Sequence, residues 1–243
     1  MTRPTLWILA ILATIWPLNT EAQPPVDIGR TYKNRAYADT LTAIDQRRRA
    51  LHLEYQAVPS ESARAVVFDK VHEEIGRSVV HGIMPFWYGT RWDFNGITQE
   101  PDSCCIACGY YVTTLLRDVG FVLERARLAQ QASEFIILSL VRSASVRRFS
   151  DTPLEAFVRN VEQWGHGLYV VGLDIHVGFI VCDDQGVHFI HSAYRHPLCV
   201  IREEASESLF LRVSRYRVLG KLTGEHDLAV KWLTGERICT RTE

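Results

Sequence analysis

An α+β class is predicted by three observations. Before residue 82, and again over 108–119, apolar residues recur at helical spacing. From residue 168 onward the period shortens to that of strands, and Asp183-Asp184-Gln185-Gly186 separates two apolar runs as a hairpin turn. Helices come first and strands follow, which argues for an antiparallel sheet rather than alternating βα units.

The chain opens with Arg3, a short apolar stretch from Leu6 to Trp16, and Thr20 and Ala22 at small-residue positions. That is the pattern of a secretory signal peptide, and the apolar stretch is too short to span a bilayer comfortably. No cysteine follows the apolar core, so no lipid anchor is expected. Residues 1–22 are therefore read as a signal peptide, 23–81 as a helical extension and 82–243 as one further domain. The mature chain is expected to be secreted or periplasmic. Of 243 residues 47% are hydrophobic, which excludes wholesale disorder, and the formal net charge of −1 gives no strong field toward nucleic acid or membrane. Neither a nucleic-acid partner nor a membrane anchor is expected.

Residues 23–30 are Pro-rich. Leu41, Ile44, Leu51 and Tyr55 predict a helix over 35–56. After the Pro59-Ser60-Glu61-Ser62 punctuation, Val66, Val67, Val71 and Ile75 predict a second over 63–80. The stretch 82–103 reads as a loop in which Trp87, Tyr88, Trp92 and Phe94 crowd together as core packing or cleft walls. A helix over 108–119 stops at Gly120, a further helical pattern covers 123–144, and a short helix covers 153–164. Strands are expected over 168–173, 175–182, 187–192, 199–201 and 210–219, with a last helix over 226–232.

Chemistry is suggested by Cys108 at the head of its helix, followed by His176 and His191 on apolar, strand-like runs. A cysteine attacks carbonyls as thiolate. A helix N-terminus and a nearby imidazole are both expected to lower its pKa. With a tight turn at 183–186, residues whose numbers sum to about 369 face each other, which brings His176 close to His191. Taken singly, each has a plain structural reading: a thiol as a small buried hydrophobe, an imidazole as a satisfied core residue. His52, His72, His81, His166, His196 and His226 have no such context.

Six cysteines fall after the signal segment: Cys104, Cys105, Cys108, Cys182, Cys199 and Cys239. Their connectivity is left open. Cys105-Ile106-Ala107-Cys108 also has redox-site spacing, but no βαβ unit surrounds it. His188, His191 and His196 would make a poor metal site, because residues three apart on a strand point to opposite faces. No metal and no cofactor are expected.

At these residues the segment 89–192 resembles the NlpC/P60 branch of the papain-like cysteine peptidases and amidases. Gly89-Thr90-Arg91-Trp92-Asp93-Phe94-Asn95-Gly96-Ile97-Thr98 is similar to the family's Gly-Thr-x-Tyr-x-Trp-Gly-Gly-Thr-Ser loop. Cys108 keeps the family's spacing to the helix-ending Gly120. The run His176 to Ile180 resembles its His-Val-Gly-Ile-Tyr strand, and Ile190-His191-Ser192 resembles the Ile-His-Ala strand that carries the third catalytic residue. The resemblance implies a papain-like fold with Cys108, His176 and His191 catalytic. Trp92, Asn95, Ala107 and Tyr110 would meet the substrate, a peptide or other amide, often cell-wall derived in that family. It departs at two positions, Ala107 where the family has Asp and Trp92 where it has Tyr. Both positions help recognise a free amine there, so blocked or apolar acyl groups are expected here. The alternative reading is a non-catalytic papain-like binding module or a thiol-redox protein.

Overall fold

The computed structural model describes residues 28–242. The segment read as a signal peptide lies outside these described residues. The first helix, α1 (Ile28–Ala57), is longer than expected. Helix α2 (Glu61–Arg77) starts where Ser60 accepts a hydrogen bond from the Ala63 amide. The chain does not turn into a loop at Gly82. It continues as a π-helical segment, Ser78–Ile83, and α3 (Met84–Trp87). The reason is burial: Val79, Ile83, Met84 and Trp87 are all withdrawn from solvent, and that tertiary packing outweighs Gly82 and Pro85.

Helix α4 (Cys108–Asp118) matches its expectation and ends at Gly120, which has φ +111°. The single helix expected over 123–144 is broken into α5 (Arg125–Ala129), α6 (Ser133–Leu140) and a 3₁₀ turn, Ser143–Ser145. Strand β1 (Val146–Ser150) was not expected, since its Val-Arg-Arg-Phe-Ser sequence carries no apolar run. Helix α7 (Leu154–Trp164) precedes β2 (Gly167–Leu173), β3 (Val177–Asp183), β4 (Gly186–Ser192) and β5 (Val200–Glu204). The strand expected over 210–219 divides into α8 (Leu209–Val213), capped by the Ser208 hydroxyl, and β6 (Tyr216–Lys221). Helix α9 (His226–Thr234) follows.

The six strands form one antiparallel sheet in the order β1-β6-β2-β3-β4-β5, which makes the class α+β. The β3–β4 hairpin has the register read from its turn, with Phe179 opposite Ile190 and Asp183 opposite Gly186. Both faces of the sheet are covered, which is why β2, β3 and β4 read as nearly unbroken apolar runs. On one face Val170, Phe179, Val181 and Ile190 share a core with α4 and with Ile44 and Val71 of α1 and α2. On the other, Tyr169, Val171, Ile180 and Phe189 pack on Phe157, Phe210 and Leu211 from α7 and α8. Among the described residues no helix is long and apolar enough to cross a membrane.

Candidate active site

Cys108 is the first residue of α4, and its place is fixed by hydrogen bonds on both sides of the chain. The Ala107 amide donates to the Gly96 carbonyl at 2.8 Å, and the Ile106 amide to the Arg91 carbonyl at 2.9 Å. The Ser192 hydroxyl of β4 donates to the Ile106 carbonyl at 2.7 Å, so the hairpin and the approach to Cys108 are one unit. Ala107 adopts an extended conformation at the helix start and supplies no side-chain cap. The first-turn amides of α4 are therefore left without a side-chain acceptor. Gly109 has a local reason to lack a side chain: a Cβ there would come within 2.2 Å of the Ala129 carbonyl oxygen at the end of α5.

His176 sits just before β3, after a tight turn closed by the Leu173 amide donating to the His176 carbonyl at 2.8 Å. Its Nε2 lies 2.8 Å from Nδ1 of His191 on β4. Gly178 makes this possible, since a Cβ there would stand 2.7 Å from the His191 Cβ. The His191 ring is fully buried and stacks on Phe189 with centroids 4.0 Å apart. Phe210 of α8 and Tyr194 close over His176, at centroid separations of 5.5 Å and 5.1 Å.

The line of contacts does not stop at His191. Its Nε2 lies 3.2 Å from Oε1 of Glu203 on β5. The imidazole and the Ser208 hydroxyl hold the Glu203 carboxyl below its usual range against the opposing effect of burial. Glu203 is thus ionised and accepts from His191 Nε2–H. His191 Nδ1 must then be a lone pair that accepts from His176 Nε2–H. By elimination His176 Nδ1 is also a lone pair. That atom is buried and bonds to no protein group among the described residues.

Sequence reasoning placed Cys108, His176, Trp92, Asn95, Ala107 and Tyr110 in the site, and all six line one cavity of about 700 Å³. His191 stands behind His176 rather than in the cavity wall. Of the four loop aromatics, Trp92 and Phe94 line the cleft, whereas Trp87 is core, with its indole donating to the Tyr37 hydroxyl at 3.0 Å, and Tyr88 packs against that core. Sequence reasoning missed Glu203, Tyr194, Ile97 and Ile175. Glu203 carried a weak signal, since it falls two residues past the strand expected over 199–201 and on the same face as Ile201, the partner of His191.

One electrostatic expectation is reversed. Burial pushes the Cys108 thiol up, and the amides of Val177, Gly109 and Cys108 oppose this with smaller effects. Burial also drives His176 well below the ordinary imidazole range, and the neighbouring His191 adds to it. His191 is lowered by burial too, with Glu203 opposing. In the free site the thiol and both imidazoles therefore rest neutral rather than as an ion pair.

The six cysteines are free thiols, and Cys104 and Cys105 sit with their sulfurs 3.3 Å apart. Among the described residues no group of three or more His, Cys, Asp or Glu side chains is arranged to hold a metal ion. His188 is occupied otherwise, by Glu204 at 2.8 Å and Arg202 at 3.1 Å. No protein-family model, no curated protein and no solved structure matches this chain.

Proposed function

We propose that this chain is a thiol hydrolase of papain-like type, akin to NlpC/P60 enzymes, that cleaves an amide bond with Cys108, His176 and His191. The observation that carries this reading is the buried, unpartnered Nδ1 of His176, a residue held by His191 behind it that lines the same cavity as Cys108. The competing readings, a non-catalytic binding module or a thiol-redox protein, give that nitrogen nothing to do. Export of the chain belongs to the same proposal and rests on the pattern of residues 1–22 alone.

In the proposed reaction His176 Nδ1 takes the Cys108 thiol proton as the sulfur attacks the amide carbon. A C–S bond forms, and the carbonyl oxygen gains charge beside the uncapped amides of Cys108 and Gly109. The C–N bond then breaks as His176 returns the proton to the departing nitrogen. Water, deprotonated by the same nitrogen, attacks the thioester. It releases the carboxylic acid and restores the thiol. Glu203 positions His191, which positions His176, and each holds the tautomer of the next.

The test is affinity labelling with an acyl chloromethyl ketone. Stoichiometric alkylation at Cys108, lost in His176→Asn, is expected. Labelling spread evenly over the exposed thiols Cys104 and Cys239 would overturn the proposal.

A further inference from the structure

We infer that the cleft beside Cys108 takes an uncharged, apolar acyl group, so that the bond cleaved joins a hydrocarbon acyl chain to an amine. This rests on the hydrolase reading above and names its substrate class.

The first observation is the wall chemistry. The cavity of about 700 Å³ is in the size range of small-molecule sites, and no Asp, Glu, Lys or Arg lines it. Its larger side chains are Trp92, Phe94, Ile97, Tyr110, Ile175 and Tyr194, with Asn95, Gln130 and His176 as the uncharged polar lining. Ala107, next to the nucleophile, contributes only a methyl group.

The second observation is exposure. Phe94, Ile175 and Ile97 are 80%, 76% and 58% exposed, and all three stand on this one cavity. Isolated surface hydrophobes need no explanation, but three gathered round a cleft with a thiol in it form an apolar entrance.

The third observation concerns a fixed charge behind one wall of the cleft. The Arg125 guanidinium lies over the Tyr110 ring, 4.8 Å from its centroid. It already donates to the Thr114 hydroxyl and to the carbonyls of Ile97 and Thr98. A positive charge there disfavours a substrate ammonium. These bonds engage its Nε and Nη2 and hold the guanidinium against the loop rather than in the cleft lining. The Tyr110 hydroxyl is likewise engaged, accepting from Gln130 at 3.0 Å. A charged group entering this cleft would lose water and meet no side chain of opposite charge among its lining residues.

The reaction balances as acyl-NH-R plus water giving the carboxylic acid and the amine. The acyl chain would lie against the aromatic walls while the amine leaves through the open side.

The experiment uses the Cys108→Ala protein, which removes turnover and keeps the walls. Binding of a hexanoyl anilide and of its ω-amino analogue is followed by tryptophan fluorescence. The ω-amino analogue is expected to bind on the order of tenfold more weakly, equivalent to about 1.4 kcal/mol. Adding Ala107→Asp in that background should recover most of the difference. Equal affinities, preference for the ammonium, or no binding of either compound would overturn the inference. Selective binding without hydrolysis of the hexanoyl anilide by the wild-type protein would instead overturn the hydrolase reading and leave the cleft chemistry standing.

Discussion

His176 Nε2 stands 2.8 Å from His191 Nδ1, and His191 Nε2 stands 3.2 Å from the Glu203 carboxylate. Three strands or strand ends thus deliver three side chains in a line, and the charge at one end dictates the lone pair at the other. A consequence follows for the protonation of every nitrogen in the line. At neutral pH, ¹⁵N-detected NMR of the imidazoles is expected to show His176 protonated on Nε2 only. Protonation on Nδ1 would contradict the proposed role of His176 as a base.

Substitutions along the line should differ in severity. His176→Asn removes the proposed proton acceptor and is expected to lower kcat by about a thousandfold, within the span of general-base contributions. His191→Gln keeps an acceptor for His176 and should lose only on the order of tenfold. Glu203→Gln can donate to His191 and reverse both tautomers. It should therefore depress kcat with KM unchanged, and Glu203→Asp should restore much of it. Equal losses for His176→Asn and His191→Gln in steady-state kinetics would contradict the separate roles.

The nucleophile is expected to be unique. Cys108→Ala should abolish hydrolysis and leave the circular dichroism spectrum intact, because the small side chain it truncates only partly faces the core. Cys104→Ala and Cys105→Ala should stay active. An inactive Cys105→Ala beside an active Cys108→Ala would move the chemistry to the wrong sulfur.

Burial of the two imidazoles also makes a prediction about acid stability. Both have folded-state pKa values below the unfolded one. The unfolded chain therefore binds more protons as pH falls below about 6.5, and stability should decline with falling pH from there. Denaturant midpoints measured between pH 7.5 and 5.5 should fall, and fall less in His191→Gln. A midpoint that rises on acidification would show the sign to be wrong.

The close approach at Gly109 should not tolerate a side chain. A Cβ would stand 2.2 Å from the Ala129 carbonyl, so Gly109→Ser must push α4 and the end of α5 apart. Overpacking of this kind costs roughly 1–3 kcal/mol. Urea unfolding reads it directly, and an unchanged midpoint would mean that the two segments are not held together as described.

The hairpin was legible in the sequence because a two-residue side-chain period and one Asp-Asp-Gln-Gly turn fix its register, and the pairing of Phe179 with Ile190 follows from that alone. Helix α4 was legible from its apolar stripe and the Gly120 stop. What could not be read depends on tertiary packing. The helical course through Gly82 and Pro85 is set by the burial of Val79, Ile83 and Trp87. The division of 210–219 places Phe210 over the His176 ring, a contact that no local pattern announces. The resting charges of Cys108 and His176 depend on desolvation, which spacing does not reveal. Local helix geometry alone gave the opposite sign.

The most direct measurement of whether Cys108 and His176 form a hydrolytic pair is intact-protein mass spectrometry during reaction with p-nitrophenyl hexanoate. A burst of one p-nitrophenolate per chain is expected, with a single hexanoyl adduct that peptide mapping places on Cys108 and that decays as hexanoate is released. In His176→Asn both the adduct and its decay should be slowed severely. An adduct distributed over Cys104, Cys199 and Cys239, or one on Cys108 that forms equally fast without the His176 imidazole, would contradict it.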